Sequence, residues 1–248
     1  MKKIISVMLL VGFVMVSGAY ASGKFSVKAD VGYTTLNLGD FNSYLDEQKS
    51  MEETFGSTAT VTKSNIAFVV GIGLDYKVSP VITVGPKIEY IKCNQEKIHL
   101  LMDVSGTPAN ADIQYDAYVT PVLVGATYGK PLNEKLDLSG SLYLGEALAN
   151  SKLTVTQQIG SVSASMEVPY DGSALQTEIG FGGSYKINKS FAISLNLAYR
   201  NLVVSNLKAS KDIPELYIHK GDPIMGAGQS INIDLGGIAL GGGIKYIF

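Results

Sequence analysis

DLGGIALGGGIKYIF, residues 234–248, alternates from Ile238 to its last residue. Ile238, Leu240, Gly242, Ile244, Tyr246 and Phe248 fall on one face of an extended chain; Ala239, Gly241, Gly243, Lys245 and Ile247 fall on the other. A period of two with one apolar side describes a half-buried β-strand. Strands of soluble β-sandwiches alternate in the same way, so the neighbouring segments must decide what kind of sheet this is.

The same pattern recurs upstream. Phe25, Val27, Ala29, Val31 and Tyr33 share a face, as do Ile66, Phe68, Val70, Ile72, Leu74 and Tyr76. A third strand carries Ile82, Val84, Pro86, Ile88 and Tyr90, with Pro86 costing one ladder hydrogen bond. The fourth, roughly 113–128, places Val122, Val124, Ala126 and Tyr128 on one side. Its other side holds Val119, Pro121 and Leu123, which leaves its facing ambiguous. Leu136, Leu138, Leu142 and Leu144 mark the fifth strand. Leu175, Thr177, Ile179, Phe181, Gly183 and Tyr185 mark the sixth, and Phe191, Ile193, Leu195, Leu197 and Tyr199 the seventh.

The connections alternate in length. Residues 36–65, 94–113, 150–173 and 206–230 are long, whereas Val78-Ser79-Pro80, Pro131-Leu132-Asn133 and Asn188-Lys189-Ser190 are tight turns. The spacing predicts a helix over 40–55 with Asp40 as N-cap, and a separate β-hairpin within 150–173. An up-and-down barrel with short periplasmic turns, long extracellular loops and an even strand number fits this order. Cores of about ten residues at a 45° tilt give an apolar belt about 25 Å tall. Tyr33, Tyr76, Tyr90, Tyr128, Tyr185, Tyr199 and Tyr246 fall near strand ends, where aromatic girdles belong. The expected fold is therefore all-β: a closed antiparallel transmembrane barrel of about eight strands.

The first residues set the compartment. Lys2 and Lys3, the apolar run Ile4–Val16 and Ala19-Tyr20-Ala21 form a signal-peptide pattern, too short for a membrane span. The expected division is a signal peptide, 1–21, and a barrel domain, 22–248. No cysteine follows the apolar run, against lipoprotein processing, and Cys93 is alone, against an internal disulfide. A net charge of −2 gives no support for a nucleic-acid partner.

The side chains opposite the apolar faces are charged. Lys28, Asp30, Asp75, Lys77, Lys87, Glu89, Asp137, Glu178, Lys186, Arg200 and Lys245 are expected inside the barrel. An eight-stranded barrel is just wide enough for side chains to fill it, so nearly balanced charges read as a paired polar core; the alternative is a narrow pathway. Little else points to chemistry. The two histidines, His99 and His219, fall in external loops, and no His, Cys and carboxylate cluster has metal-ligand spacing. Gly71-Ile72-Gly73 lacks the third glycine and following helix of a dinucleotide fingerprint, and is read as relieving crowding inside the barrel. No cofactor is expected.

With the alternating strands, the connection order, the leader and the final Phe248, the chain resembles the small bacterial outer-membrane barrels of the OmpA transmembrane, OmpX/Ail or OmpW type. It departs from full-length OmpA in having no peptidoglycan-binding domain. The resemblance implies an outer-membrane location, outer-membrane lipid around the belt, and Ile244, Tyr246 and Phe248 as the signal read by the barrel assembly machinery. Architecture does not fix activity. The long loops favour a structural or surface-interaction protein whose loops meet extracellular ligands; the alternative is a narrow channel for small or hydrophobic solutes, and a barrel enzyme is not expected.

Overall fold

The computed structural model describes residues 25–54, 56–93, 96–104, 107–205, 207–226, 229–230 and 232–248. The expected signal peptide lies outside them. In chain order the elements are β1 (Phe25–Thr35), α1 (Gly39–Thr54), β2 (Thr58–Thr62), β3 (Ile66–Lys77), β4 (Ile82–Cys93), β5 (Glu96–Val104), β6 (Thr107–Pro131), β7 (Leu136–Ile159), β8 (Val162–Lys186), β9 (Phe191–Val204), β10 (Lys208–Ala209), β11 (Met225–Gly226), β12 (Gln229–Ser230), β13 (Ile233–Asp234) and β14 (Gly237–Ile247). A 3₁₀ turn spans Pro214–Leu216.

Eight of these strands close a ring, β1-β3-β4-β6-β7-β8-β9-β14, every neighbour antiparallel. The terminal stretch makes the seam: β14 pairs with β1 from Ile247↔Ser26 to Ala239↔Thr34, and with β9 on its other side. Closure leaves no ring edge for lipid to meet, which is the condition for crossing a bilayer with strands.

Facing follows the alternation. Each ring strand exposes a large apolar side chain outward: Val31, Ile72, Ile88, Val124, Leu142, Ile179, Leu195 and Leu240 are all solvent-accessible. A soluble β-sandwich buries such residues, and a continuous apolar outer face of this size marks a membrane-facing surface. The ambiguous fourth strand is settled: Val124, Ala126 and Tyr128 point out, whereas Val119, Pro121 and Leu123 are buried inside. At the end of the short turns, Phe191 and Tyr246 meet edge to face at 4.9 Å, and Tyr246 and Phe248 at 4.8 Å. At the other end Tyr33 packs on Phe68 and Tyr90 on Tyr118. Pro86 leaves its mark: the β3–β4 ladder runs Gly73↔Lys87 and resumes at Tyr76↔Val84.

Three expectations change. Residues 150–173 are not a separate hairpin, because β7 and β8 run on unbroken and the β6–β7–β8 wall simply rises above the belt. Gly160, at φ 57°, supplies the left-handed turn at its tip. The helix starts at Gly39, so Asp40 lies inside it and is not the N-cap. Gly71 and Gly73 are not crowded, since an added Cβ would meet Glu89 and Lys28 at ordinary distances of 3.4 and 3.7 Å. Gly125 does need its hydrogen, because the Tyr143 ring lies over it, 2.4 Å from where a Cβ would stand.

Candidate functional site

The alternation that turns Ile, Leu and Tyr outward turns the charged side chains into the lumen, and the ring decides which of them meet. β4 and β9 stand on opposite sides of the ring. Arg200 of β9 reaches across, its Nη2 donating to Glu89 Oε2 at 2.8 Å and to Glu178 Oε2 at 3.2 Å. Lys87 of β4 completes a quartet by pairing with Glu178 across the lumen and with Glu89 at 3.1 Å. Its ammonium also lies 4.6 Å from the Tyr143 ring centroid. Two cations and two anions thus tie opposite walls together, and Arg200 is 1% exposed. Pairing of this kind offsets part of the desolvation cost of the four groups, with Arg200 Nε and Nη1 left without hydrogen-bond partners among the described residues.

The other charges sit nearer the short-turn end. Lys28 and Lys245 are directly opposed in register, and Asp75 lies between them, 3.1 and 3.3 Å from their ammonium groups. Lys186 pairs with Asp137 at 2.9 Å. Asp30 accepts a hydrogen bond from Asn196 at 3.3 Å. Lys77, the last residue of β3, joins them at the exposed rim and lines the same end of the lumen. A cavity of about 330 Å³ lined by Lys28, Asp75, Asp137, Lys186 and Lys245 occupies this end. A second, of about 100 Å³, lies beside Arg200.

The long-loop end is different, and composition hid it. The interior there is apolar rather than polar: Ala67, Val69, Ile91, Val119, Ala147, Leu202 and Val204 face inward from the ring. Leu36, Leu38, Phe41 and Leu45 come down from α1 and the segment before it, and Ile213, Ile224, Ile233 and Leu235 from the last loop. Leu45 is fully buried. Phe41 meets Tyr115 edge to face at 4.9 Å, and the Tyr115 hydroxyl donates to Tyr44 at 3.2 Å. A backbone bond from Leu36 to Asn65 closes the base of the first loop, and one from Asn37 to Gly236 ties it to the chain just before β14. The helix is the stopper of the barrel mouth. The inward apolar side of the fourth strand is the sequence signal for this core.

Outside, His99 and Asp112 face each other on β5 and β6 with Nδ1 and Oδ1 2.7 Å apart, and Lys97 adds an ion pair at 3.1 Å. Partial burial opposes the Asp112 charge, but hydrogen bonds from His99 and Lys97 overcome it and hold the carboxyl below its usual range. This couple staples a hairpin. His219 lies 3.9 Å from Asp212 in the last loop. Among the described residues no group of three His, Cys, Asp or Glu side chains has metal-binding geometry.

No protein-family model matches the chain, and no curated protein sequence matches it. Among solved structures it is similar to Neisserial surface protein A at 12% identity and TM-score 0.43, over 92% of this chain and 98% of that one. It is similar to the outer membrane protein OprG from Pseudomonas aeruginosa at 14% identity and TM-score 0.40, over 91% and 96%. It is also similar to Ail of Yersinia pestis at 14% identity and TM-score 0.31, over 90% and 99%. The class rests on the chain's own geometry: a closed ring of eight antiparallel strands, an apolar outer face from every strand, short turns at one end and long connections at the other. The chain is a small transmembrane β-barrel of the bacterial outer-membrane type.

Proposed function

We propose that this protein is a non-conducting, non-enzymatic outer-membrane barrel that anchors an ordered extracellular structure for contact with other surfaces. One observation carries the reading: the lumen is closed twice, by the Arg200–Glu89–Glu178–Lys87 quartet and by the apolar core under α1. A lumen crossed in this way supports a role other than transport. The protruding wall of β5–β8 and the capped mouth are then the working parts, since function concentrates on loops held by a rigid scaffold. Export would remove residues 1–21, and N-terminal sequencing of the membrane species then reads Ser22.

The test is to shorten the last loop within 207–226 and, separately, the β7–β8 tip, and to measure adhesion of expressing cells to host-matrix proteins and to one another. Loss of adhesion with intact heat-modifiable migration on gels is the expected result. Unchanged adhesion in both variants contradicts the reading. The second reading, a narrow channel, draws its support from the two cavities along the lumen, and it requires the quartet to part.

A further inference from the structure

The wall above the belt ends in an unprotected strand edge. β8 pairs with β7 along its whole length, from Val162 to Tyr185. Its other side is covered by β9 from Gln176 to Lys186, and by β10 at Tyr170 and Asp171. Ser210 donates its N–H to the Pro169 carbonyl, and the cover stops there. From Val162 to Val168 no described strand pairs with that side. Natural edges are blunted by lysine, proline or a bulge, and the segment VSASMEV has none of the three. Its one charge, Glu167, is held 2.9 Å from Lys152 of β7.

We infer that this edge pairs, antiparallel and centred on Ser165, with the same edge of a second copy in an apposed membrane. The inference rests on the surface-contact reading above and names its partner. The sequence is complementary to itself in this register. Val162 falls opposite Val168, Ala164 opposite Met166, Ser163 opposite Glu167, and Ser165 opposite its own counterpart. Directly opposed residues share a face of the sheet, so the apolar ones gather on one side and Ser and Glu on the other. No like charges oppose each other, because each Glu167 meets a serine and keeps its own Lys152.

Geometry places the partner in another membrane. The dyad of an antiparallel edge pair is normal to the sheet. This part of β8 continues the barrel wall, so the dyad lies near the membrane plane and turns the second barrel to face the first. The segment from Leu175 to Val162 rises about 30 Å at barrel tilt, which lifts the edge clear of the lipid headgroups. Stable complexes use about 20–30 residues a side. This edge is far shorter, so a single pair is weak and only many pairs between two surfaces hold.

The full mature chain is reconstituted in vesicles with its loops outward, in a Cys93→Ala background. Vesicle clustering by light scattering is expected only when both populations carry the protein, and Ser165→Pro is expected to reduce it at least tenfold. Heat-modifiable migration verifies that each variant is folded. Ser165→Cys is expected to form an intermolecular disulfide between vesicles, since opposed Cα atoms about 5 Å apart suit one. Ser163→Cys is expected to give at least tenfold less, its two copies lying on offset rungs. Equal cross-linking at both positions, or full clustering by folded Ser165→Pro protein, overturns the pairing. Wild-type vesicles that never cluster, in a protein whose loop deletions still abolish adhesion to matrix proteins, overturn it too while leaving the surface-contact reading intact.

Discussion

Arg200 is the residue on which the lumen turns. Its guanidinium is buried between two carboxylates on different strands, and one of them, Glu89, belongs to the opposite wall. Both hydrogen bonds come from one nitrogen, Nη2, while Nε and Nη1 are buried with no hydrogen-bond partner among the described residues. The position therefore uses the guanidinium's fixed charge more than its fork. Removing Arg200 leaves Glu89 and Glu178 facing each other with Lys87 as the one cation still paired with them among the described residues. Breaking a buried ion pair from one side costs about 3–5 kcal/mol. Arg200→Ala is therefore expected to lower the midpoint of heat- or urea-driven unfolding sharply in detergent, and an unchanged midpoint would deny the quartet its bracing role. Glu96 is a different case, outside the membrane-spanning region, in a cleft of about 20 Å³ with Leu38, Phe41, Cys93, Tyr115, Ser151, Ile233 and Leu235. Burial pushes its carboxyl up to about 7, against weaker pulls downward from the Ser64 backbone and Lys63. The folded state then holds the proton more tightly than the unfolded chain. Stability is fullest below the usual value of 4.5 and falls as pH rises through that value to about 7. Proteolytic release of α1 is expected to be faster at pH 8 than at pH 5, and Glu96→Gln to remove the difference.

At the scale of elements, what the sequence discloses is what alternation encodes. The strand parities other than that of the fourth strand, the tight turns and a helix near 40–55 were readable, because a period of two and Asn, Asp and Pro punctuation are local signals. The β7–β8 extension was not readable as wall. Thr154–Gln158 and Val162–Val168 look like an independent hairpin until their ladder joins that of the belt. The capped mouth was hidden for a related reason: Leu38, Phe41 and Leu45 dock onto strands far away in sequence, and only Val119, Pro121 and Leu123 hinted at an inward apolar surface. The last strand carries its own prediction. Phe248 donates its N–H to the Phe25 carbonyl at 3.0 Å, closing the seam at the rim, and its ring packs on Tyr246. Phe248→Asp is expected to accumulate in the periplasm and be degraded, as an assembly signal comprising Ile244, Tyr246 and Phe248 requires. Normal surface levels of that variant would remove the signal.

At the scale of the whole molecule, the fold separates three environments along one axis. Lysines and aspartates line an open vestibule at the short-turn end, the quartet spans the middle, and an apolar core under α1 fills the mouth. The charges that composition placed inside do not form one uniform filling, because the upper interior is given to side chains that bury α1 and the last loop. This division is the basis for the proposal that the barrel is an anchor rather than a conduit. Purified mature protein in a planar bilayer, under voltage and across a range of salt, tests that most directly. The account predicts no steady conductance from the unmutated protein and measurable leak from Arg200→Ala. Small regular steps from the unmutated protein, blocked by a particular solute, would contradict it.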